Sequence, residues 1–224
     1  MTELLIVGST GLVGRAALRR ALADPRVARV VAPTRQPLPR PMPPKLENPI
    51  VDFEELPGDA RWWEVDAVIC TLGTTLKQAG SRGAFRRVDF DYVLAAAEFA
   101  QRHGAVTFAL NSSMGADLAS GNFYLRTKGE VEDALRRLGY LSLTIVRPAL
   151  IAGDRGQHGG PRPMERMALR LFKALGRLAP AHYRPVAAEA IAAALVEAAV
   201  QGPPGVRVVE SQALSAPRNR SVAD

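Results

Sequence analysis

The chain carries a single cysteine, Cys70, so no internal disulfide can form. Its three histidines are scattered, and with one cysteine they give no metal-ligand spacing; no metal is expected. Long apolar runs are missing too. The longest stretch, 186–200, is interrupted by Glu189 and Glu197, short of the roughly 20 uncharged residues of a membrane span. No cationic segment followed by a long apolar region and cleavage site is visible after Met1, and the expectation is a cytoplasmic protein with no membrane association. Lysine is scarce, at four of the 29 cations. The net charge of +7 would suit an anionic partner, but the arginines are spread along the chain. No basic helix, aromatic-rich sheet motif or zinc module accompanies them, and nucleic acid is not an expected partner.

What is present suits one globular domain with one large core, since 47% of the 224 residues are hydrophobic. Residues 4–7 form an apolar run ending at a glycine, and apolar residues then recur at Leu12, Ala16, Leu18 and Leu22, near helical spacing. A second strand is expected at 27–33. Seven of the 17 prolines fall in 33–49, which excludes a crossover helix there and leaves a long surface loop. Strands are expected at 49–53, 66–72, 106–112 and 143–146, with helices over 83–103 and 124–138. A segment rich in glycine follows at 153–163, then helices over 164–175 and 186–200 and a last strand at 206–209. Alternating strands and helices imply an α/β fold: one doubly wound, Rossmann-like domain with a central parallel sheet of order 3-2-1-4-5-6, a seventh strand, and helices on both faces. The segment 153–185 is expected to be a small substrate-side insertion.

Gly8, Ser9, Thr10, Gly11, Leu12, Val13 and Gly14 space glycines as GxxGxxG between the first strand and the first helix. In that context the first glycine permits the turn, the second lets backbone N–H groups approach a pyrophosphate, and the third allows close helix–strand contact. The helix N-terminus attracts the anion. Dinucleotide binding is therefore expected. NAD sites usually place Asp or Glu about 20 residues further on, to accept the ribose hydroxyls. Here no acid occurs from Pro25 to Leu46, while Arg26, Arg29, Arg35, Arg40 and Lys45 do. Arg35 falls just past the second strand, where a guanidinium pairs with a 2′-phosphate, so NADP(H) is favoured over NAD(H).

Tyr124 and Lys128 are four apart at the start of a helix, on one face. A free tyrosine, with a pKa of about 10, is a poor acid–base catalyst at neutral pH, and a neighbouring cation favours its phenolate. Ser112 and Ser113 end the preceding strand, at the carboxyl edge where doubly wound sheets bind ligands. Either serine could be catalytic.

At these residues the chain resembles the short-chain dehydrogenase/reductase superfamily, in its atypical, CC3-like branch. The resemblance covers Gly8 to Gly14, Asp52 and Phe53, the run from Cys70 through Leu72, Gly73 and Thr74 to Thr75, residues 88–92, 111–117 and 124–132, and Arg147 with Pro148. It implies that Asp52 and Phe53 flank the adenine, that Leu72, Gly73 and Thr74 run along the cofactor, and that Tyr124 and Lys128 are the proton donor and its partner. Asp89 stands where many members of the superfamily have an asparagine that carries a water for proton relay. The expected function is NADP(H)-dependent reduction of a small carbonyl or oxidation of the matching alcohol, by a monomer or homodimer. The alternative is an NADP(H)-sensing regulatory protein with little turnover. The segment 153–163, with Gly153, Gly156, Gly159, Gly160 and a solvated His158, is expected to form a flap over the substrate.

Overall fold

Leu4, Leu5, Ile6 and Val7 are each 1% exposed or less, although neighbours along a strand point to opposite faces. Only a strand covered on both sides buries a continuous apolar run in this way. The computed structural model describes residues 1–152 and 185–215, and its sheet is built on this strand. β1 (Thr2–Val7), β2 (Val27–Val31), β3 (Leu46–Glu47), β4 (Ala67–Cys70), β5 (Thr107–Asn111), β6 (Ser142–Arg147) and β9 (Gly205–Glu210) pair in the order β3-β2-β1-β4-β5-β6-β9. Every pairing is parallel. β7 (Ile151–Ala152) and β8 (Val186–Ala187) form a small second sheet that sequence patterning does not foretell.

Helices cover both faces. On one, α1 (Leu12–Ala23) and α6 (Ala188–Gln201) close over Leu4, Ile6, Val30 and Ile69. Their small faces, Ala16, Ala17 and Ala21 against Ala192 and Ala199, let the two helices lie close. On the other, α4 (Tyr92–Arg102) and α5 (Phe123–Leu138) cover Leu5, Val7, Val68, Phe108 and Leu110. Each fully buried aliphatic side chain contributes about 1.5–3 kcal/mol relative to exposure, so the sheet with its two layers is the main source of stability. The helix after β9 is α7 (Ser211–Ser215).

One expectation needs correction and another gains a detail. The third strand is Leu46–Glu47, and 49–53 is not a strand. Beyond Glu47 the ladder with β2 loosens to a single bridge between Thr34 and Ile50. Pro49 has no N–H to donate, and the Asn48 amide bonds the carbonyl of Ala32 and the hydroxyl of Thr34. The helix expected over 83–103 is present, but it contains a π turn. α2 (Leu76–Ala79) and α3 (Arg82–Arg86) precede a π turn, Arg87–Asp91, which leads into α4. The expected flap at 153–163, the helix over 164–175 and His158 lie outside the described residues.

The strand order reverses at β1 and β4, which are neighbours in the sheet but separated in sequence by β2 and β3. In doubly wound sheets, ligands bind beyond the carboxyl ends of the strands at this switch point. The glycine turn follows β1 there, and Leu72, Gly73 and Thr74 follow β4.

Candidate active site and cofactor site

The three glycines of the turn have different physical reasons. Gly8 has φ +84°, and a Cβ on it would lie 2.7 Å from the Leu72 nitrogen. A Cβ on Gly14 would lie 2.1 Å from the Gly8 carbonyl oxygen, so glycine there lets α1 close onto the turn. Thr71 supports that contact by donating its hydroxyl to the same carbonyl at 3.0 Å. Gly11 is different. Its backbone is ordinary extended chain, with φ −72° and ψ 171°, and its Cβ would meet nothing nearer than 3.4 Å. The protein's own packing does not require glycine at this position.

Beside it, Ser9 is fully buried, and its hydroxyl has no partner among the described residues. The N-terminus of α1 has no side-chain cap and no acid in its first turn. A buried unpaired hydroxyl, an uncapped helix start and an open glycine fit a pyrophosphate.

The structure sorts the five cations of the acid-free stretch. Arg26 is paired with Asp24 at 2.7 Å and Glu197 at 3.0 Å, and Arg29 with Glu3 at 2.6 Å and Glu47 at 3.1 Å. The Lys45 ammonium donates to the carbonyls of Ala21, Asp24 and Val27, capping the C-terminus of α1. Arg35 and Arg40 remain exposed, with no ion pair recorded among the described residues. Asp52 is exposed and accepts the Glu54 N–H at 2.9 Å in a turn. The half-buried Phe53 packs on the Tyr92 ring at 5.8 Å. The Tyr92 hydroxyl, pushed up to about 12 by burial and by its bond to Glu54, stays a neutral donor.

The side chain of Asn122 caps α5, accepting the N–H groups of Tyr124 and Leu125. This fixes Tyr124 in the first turn, half-buried, with its ring 5.6 Å from that of Phe85. One turn on, Lys128 is 4% exposed, and its ammonium lies 2.8 Å from the fully buried carboxylate of Asp89. Asp89 also accepts the Thr74 N–H at 2.8 Å. Burial alone would lower the lysine's pKa, but the Asp89 carboxylate outweighs it and holds the ammonium above its ordinary value. The ion pair sits against the loop that follows β4: a Cβ on Gly73 would lie 3.4 Å from the Asp89 carboxylate and 3.7 Å from the Lys128 ammonium.

The two serines have separate surroundings. Ser112 is buried and donates to Glu132 at 2.6 Å. That carboxylate, with no exposure, is also gripped by Arg147 at 2.6 and 3.0 Å and reached by Arg136 at 3.4 Å. Ser113 is half-buried, and among the described residues its hydroxyl makes only a long, 3.3 Å bond to the Met114 carbonyl. The Asp89 and Glu132 networks escape a reading of the sequence, because each joins residues far apart in the chain.

A parallel sheet with a glycine turn at its switch point and a Tyr124–Lys128 helix beside it defines the Rossmann-type short-chain dehydrogenase/reductase class. No family model matches the chain. Among curated proteins, protein HTATIP2 of Rattus norvegicus is 36% identical over 176 residues, covering 77% of this chain and 71% of that protein. The mitochondrial protein FMP52 of Candida albicans is 31% identical over 165 residues, covering 69% of each. The mitochondrial protein fmp52 of Emericella nidulans is 33% identical over 184 residues, covering 80% of this chain and 78% of that protein. The chain belongs to the family of HTATIP2 and FMP52, the CC3-like atypical short-chain dehydrogenase/reductases.

Solved structures share the fold. MoeE5 in complex with UDP-glucose and NAD superposes with a TM-score of 0.69 at 18% identity, over 92% of this chain and 74% of that one. The UDP-Glc/GlcNAc 4-epimerase of Campylobacter jejuni gives 0.66 at 14% identity, over 96% and 82%. The expectation of a cytoplasmic location is corrected by the fungal relatives, which are named as mitochondrial proteins. Among the described residues no helix is long and apolar enough to cross a membrane.

Proposed function

We propose that this protein is an NADP(H)-dependent oxidoreductase that reduces a small carbonyl compound, or oxidises the matching alcohol, at a site made by Tyr124, Lys128 and Ser113. The observation that carries the reading is the Lys128 ammonium, buried one helical turn from Tyr124 and held against the loop that continues β4. A buried cation in that position favours negative charge on the neighbouring phenol as it gives up its proton. The bound nicotinamide supplies or accepts the hydride.

The protein's residues do the rest. The Tyr124 hydroxyl hands its proton to the carbonyl oxygen, and the Ser113 hydroxyl donates to the same oxygen as charge builds on it. The remaining N–H bonds of Lys128 hold the ribose hydroxyls. The uncapped start of α1, Gly11 and the Ser9 hydroxyl would receive the pyrophosphate, and Arg35 the 2′-phosphate that distinguishes NADP from NAD. Ser112, engaged with Glu132, supports the loop that presents Ser113.

The test is NADPH oxidation across a panel of small aldehydes and ketones, with Tyr124→Phe as the control. Turnover by the wild type and its loss in Tyr124→Phe, with NADPH affinity nearly intact, is the expected result. Tight NADPH binding with no turnover on any panel member would overturn the enzyme reading in favour of a cofactor-sensing protein.

A further inference from the structure

The pairing of Asp89 with Lys128 does more than neutralise a buried charge. Asp89 reaches the site from the π turn Arg87–Asp91, where the helical register is broken; such turns often mark functional positions. The backbone there is steadied by Arg86, whose guanidinium lies 4.1 Å over the Phe90 ring. One carboxylate oxygen is fixed by the Thr74 N–H and the other lies against the lysine, both at 2.8 Å, with Asp89 at no exposure. One hydrogen bond and one ion pair thus hold the carboxylate between the loop and the lysine.

We propose that Asp89 is a positioning residue that fixes Lys128 as a permanent cation, so that Lys128 acts by charge and by hydrogen bonding and does not pass protons. A relay group must release one proton and take up another within each turnover. An ammonium 2.8 Å from a dry carboxylate releases its proton only by leaving that carboxylate buried and unpaired, which is strongly unfavourable. The other titratable groups that interact with Lys128 do not change this. Cys70, at the end of β4, is a neutral thiol pushed up to about 11 by burial, and Tyr124 lies on the same helix. Asp89 is the one carboxylate found to pair with this ammonium among the described residues. The same carboxylate ties Lys128 to Thr74, so the cation and the loop along the cofactor are held as one unit.

The inference rests on Lys128 being part of the site proposed above, but its test uses neither cofactor nor substrate, so the two readings fail separately. The chain has four lysines, and in protein carrying 13C at the lysine ε position the Lys128 resonance can be identified by its absence from Lys128→Arg. In the wild type this resonance should show no ionisation up to pH about 10. In Asp89→Asn, burial acts without its counter-charge, and the midpoint should fall by at least about one pH unit, a tenfold change in the ionisation constant. An unmoved midpoint in Asp89→Asn would overturn the proposal. So would a wild-type Lys128 that ionises below pH about 9. Should Asp89→Asn fail to fold, the wild-type titration decides alone.

Discussion

The Ser112 hydroxyl donates a 2.6 Å hydrogen bond to Glu132, a carboxylate with no solvent exposure that is also clamped by Arg147. A serine committed to a buried carboxylate is a poor candidate for bonding a substrate that comes and goes. Ser112→Ala should therefore act on stability, costing about 1–3 kcal/mol as the carboxylate loses a donor. Ser113→Ala should leave the unfolding midpoint nearly unchanged and lower turnover by about a hundredfold, the usual effect of removing one donor to a developing oxyanion. Denaturant unfolding and NADPH oxidation measured on both variants check this. The opposite pattern would move catalysis to Ser112.

Arg35 is left exposed while Arg26, Arg29 and Lys45 are tied up by acids or carbonyls. NADPH should bind at least about tenfold more tightly than NADH, as expected for a charge-assisted bond worth about 1.5–3 kcal/mol. Arg35→Asp should invert the preference, and the wild-type preference should shrink as salt rises, because an exposed guanidinium is screened. Equal affinities for the two cofactors in fluorescence titrations would remove the role assigned to Arg35.

Asp24 gives a pH dependence of known sign. Its bond with the Arg26 side chain holds the carboxyl down to about 2, below the ordinary aspartate range, with burial opposing. The folded state thus binds this proton less readily than the unfolded state. The stability from this pair is fully present above the unfolded value, and is lost as pH falls through about 4 towards 2. The difference in urea midpoint between wild type and Asp24→Asn should be largest at pH about 6 and close towards pH 2. A difference that stays constant over that range would dissociate Asp24 from the acid sensitivity.

The sheet was legible because its strands are short apolar runs at regular separations and its first turn carries three spaced glycines. That alternation with the usual handedness of crossovers implies a parallel sheet, and the glycine turn after the first strand points to the order of the dinucleotide-binding arrangement. The third strand was misplaced because its signal is only two residues, Leu46 and Glu47, next to a proline-rich loop; pairing there is set by β2, not by local pattern. The π turn could not be read because a one-residue shift of phase is not resolved by the few apolar positions on either side of it in 83–103. At the site, Tyr124 and Lys128 could be read from spacing on one helix. The partner of Lys128 could not, because Asp89 lies on another element and meets it only through the fold. The two serines are adjacent and identical in type, and only the buried Glu132 tells them apart.

The glycine turn separates a requirement of the fold from a requirement of the ligand. At Gly14 a methyl group would sit 2.1 Å from the Gly8 carbonyl and 2.7 Å from the Thr71 hydroxyl, so backbone must move. Gly14→Ala should cost about 1–3 kcal/mol of stability or more, as overpacked sites do, and weaken cofactor binding only as a consequence. At Gly11 the backbone is one any residue adopts, and a methyl group there meets no contact shorter than 3.4 Å. Two small effects oppose each other: alanine restricts the unfolded chain by about 0.4–1 kcal/mol, while as a helix cap it is poorer than glycine by a similar amount. Gly11→Ala should thus fold with a stability within about 1 kcal/mol of wild type. If the N–H groups at the start of α1 receive a pyrophosphate, that same methyl group stands where the phosphate oxygens approach. Affinity for NADPH should fall by at least about tenfold, or about 1.4 kcal/mol. Thermal unfolding and calorimetric titration of the two variants would separate the cases. A Gly11→Ala protein that binds NADPH as tightly as wild type would place the dinucleotide away from this turn.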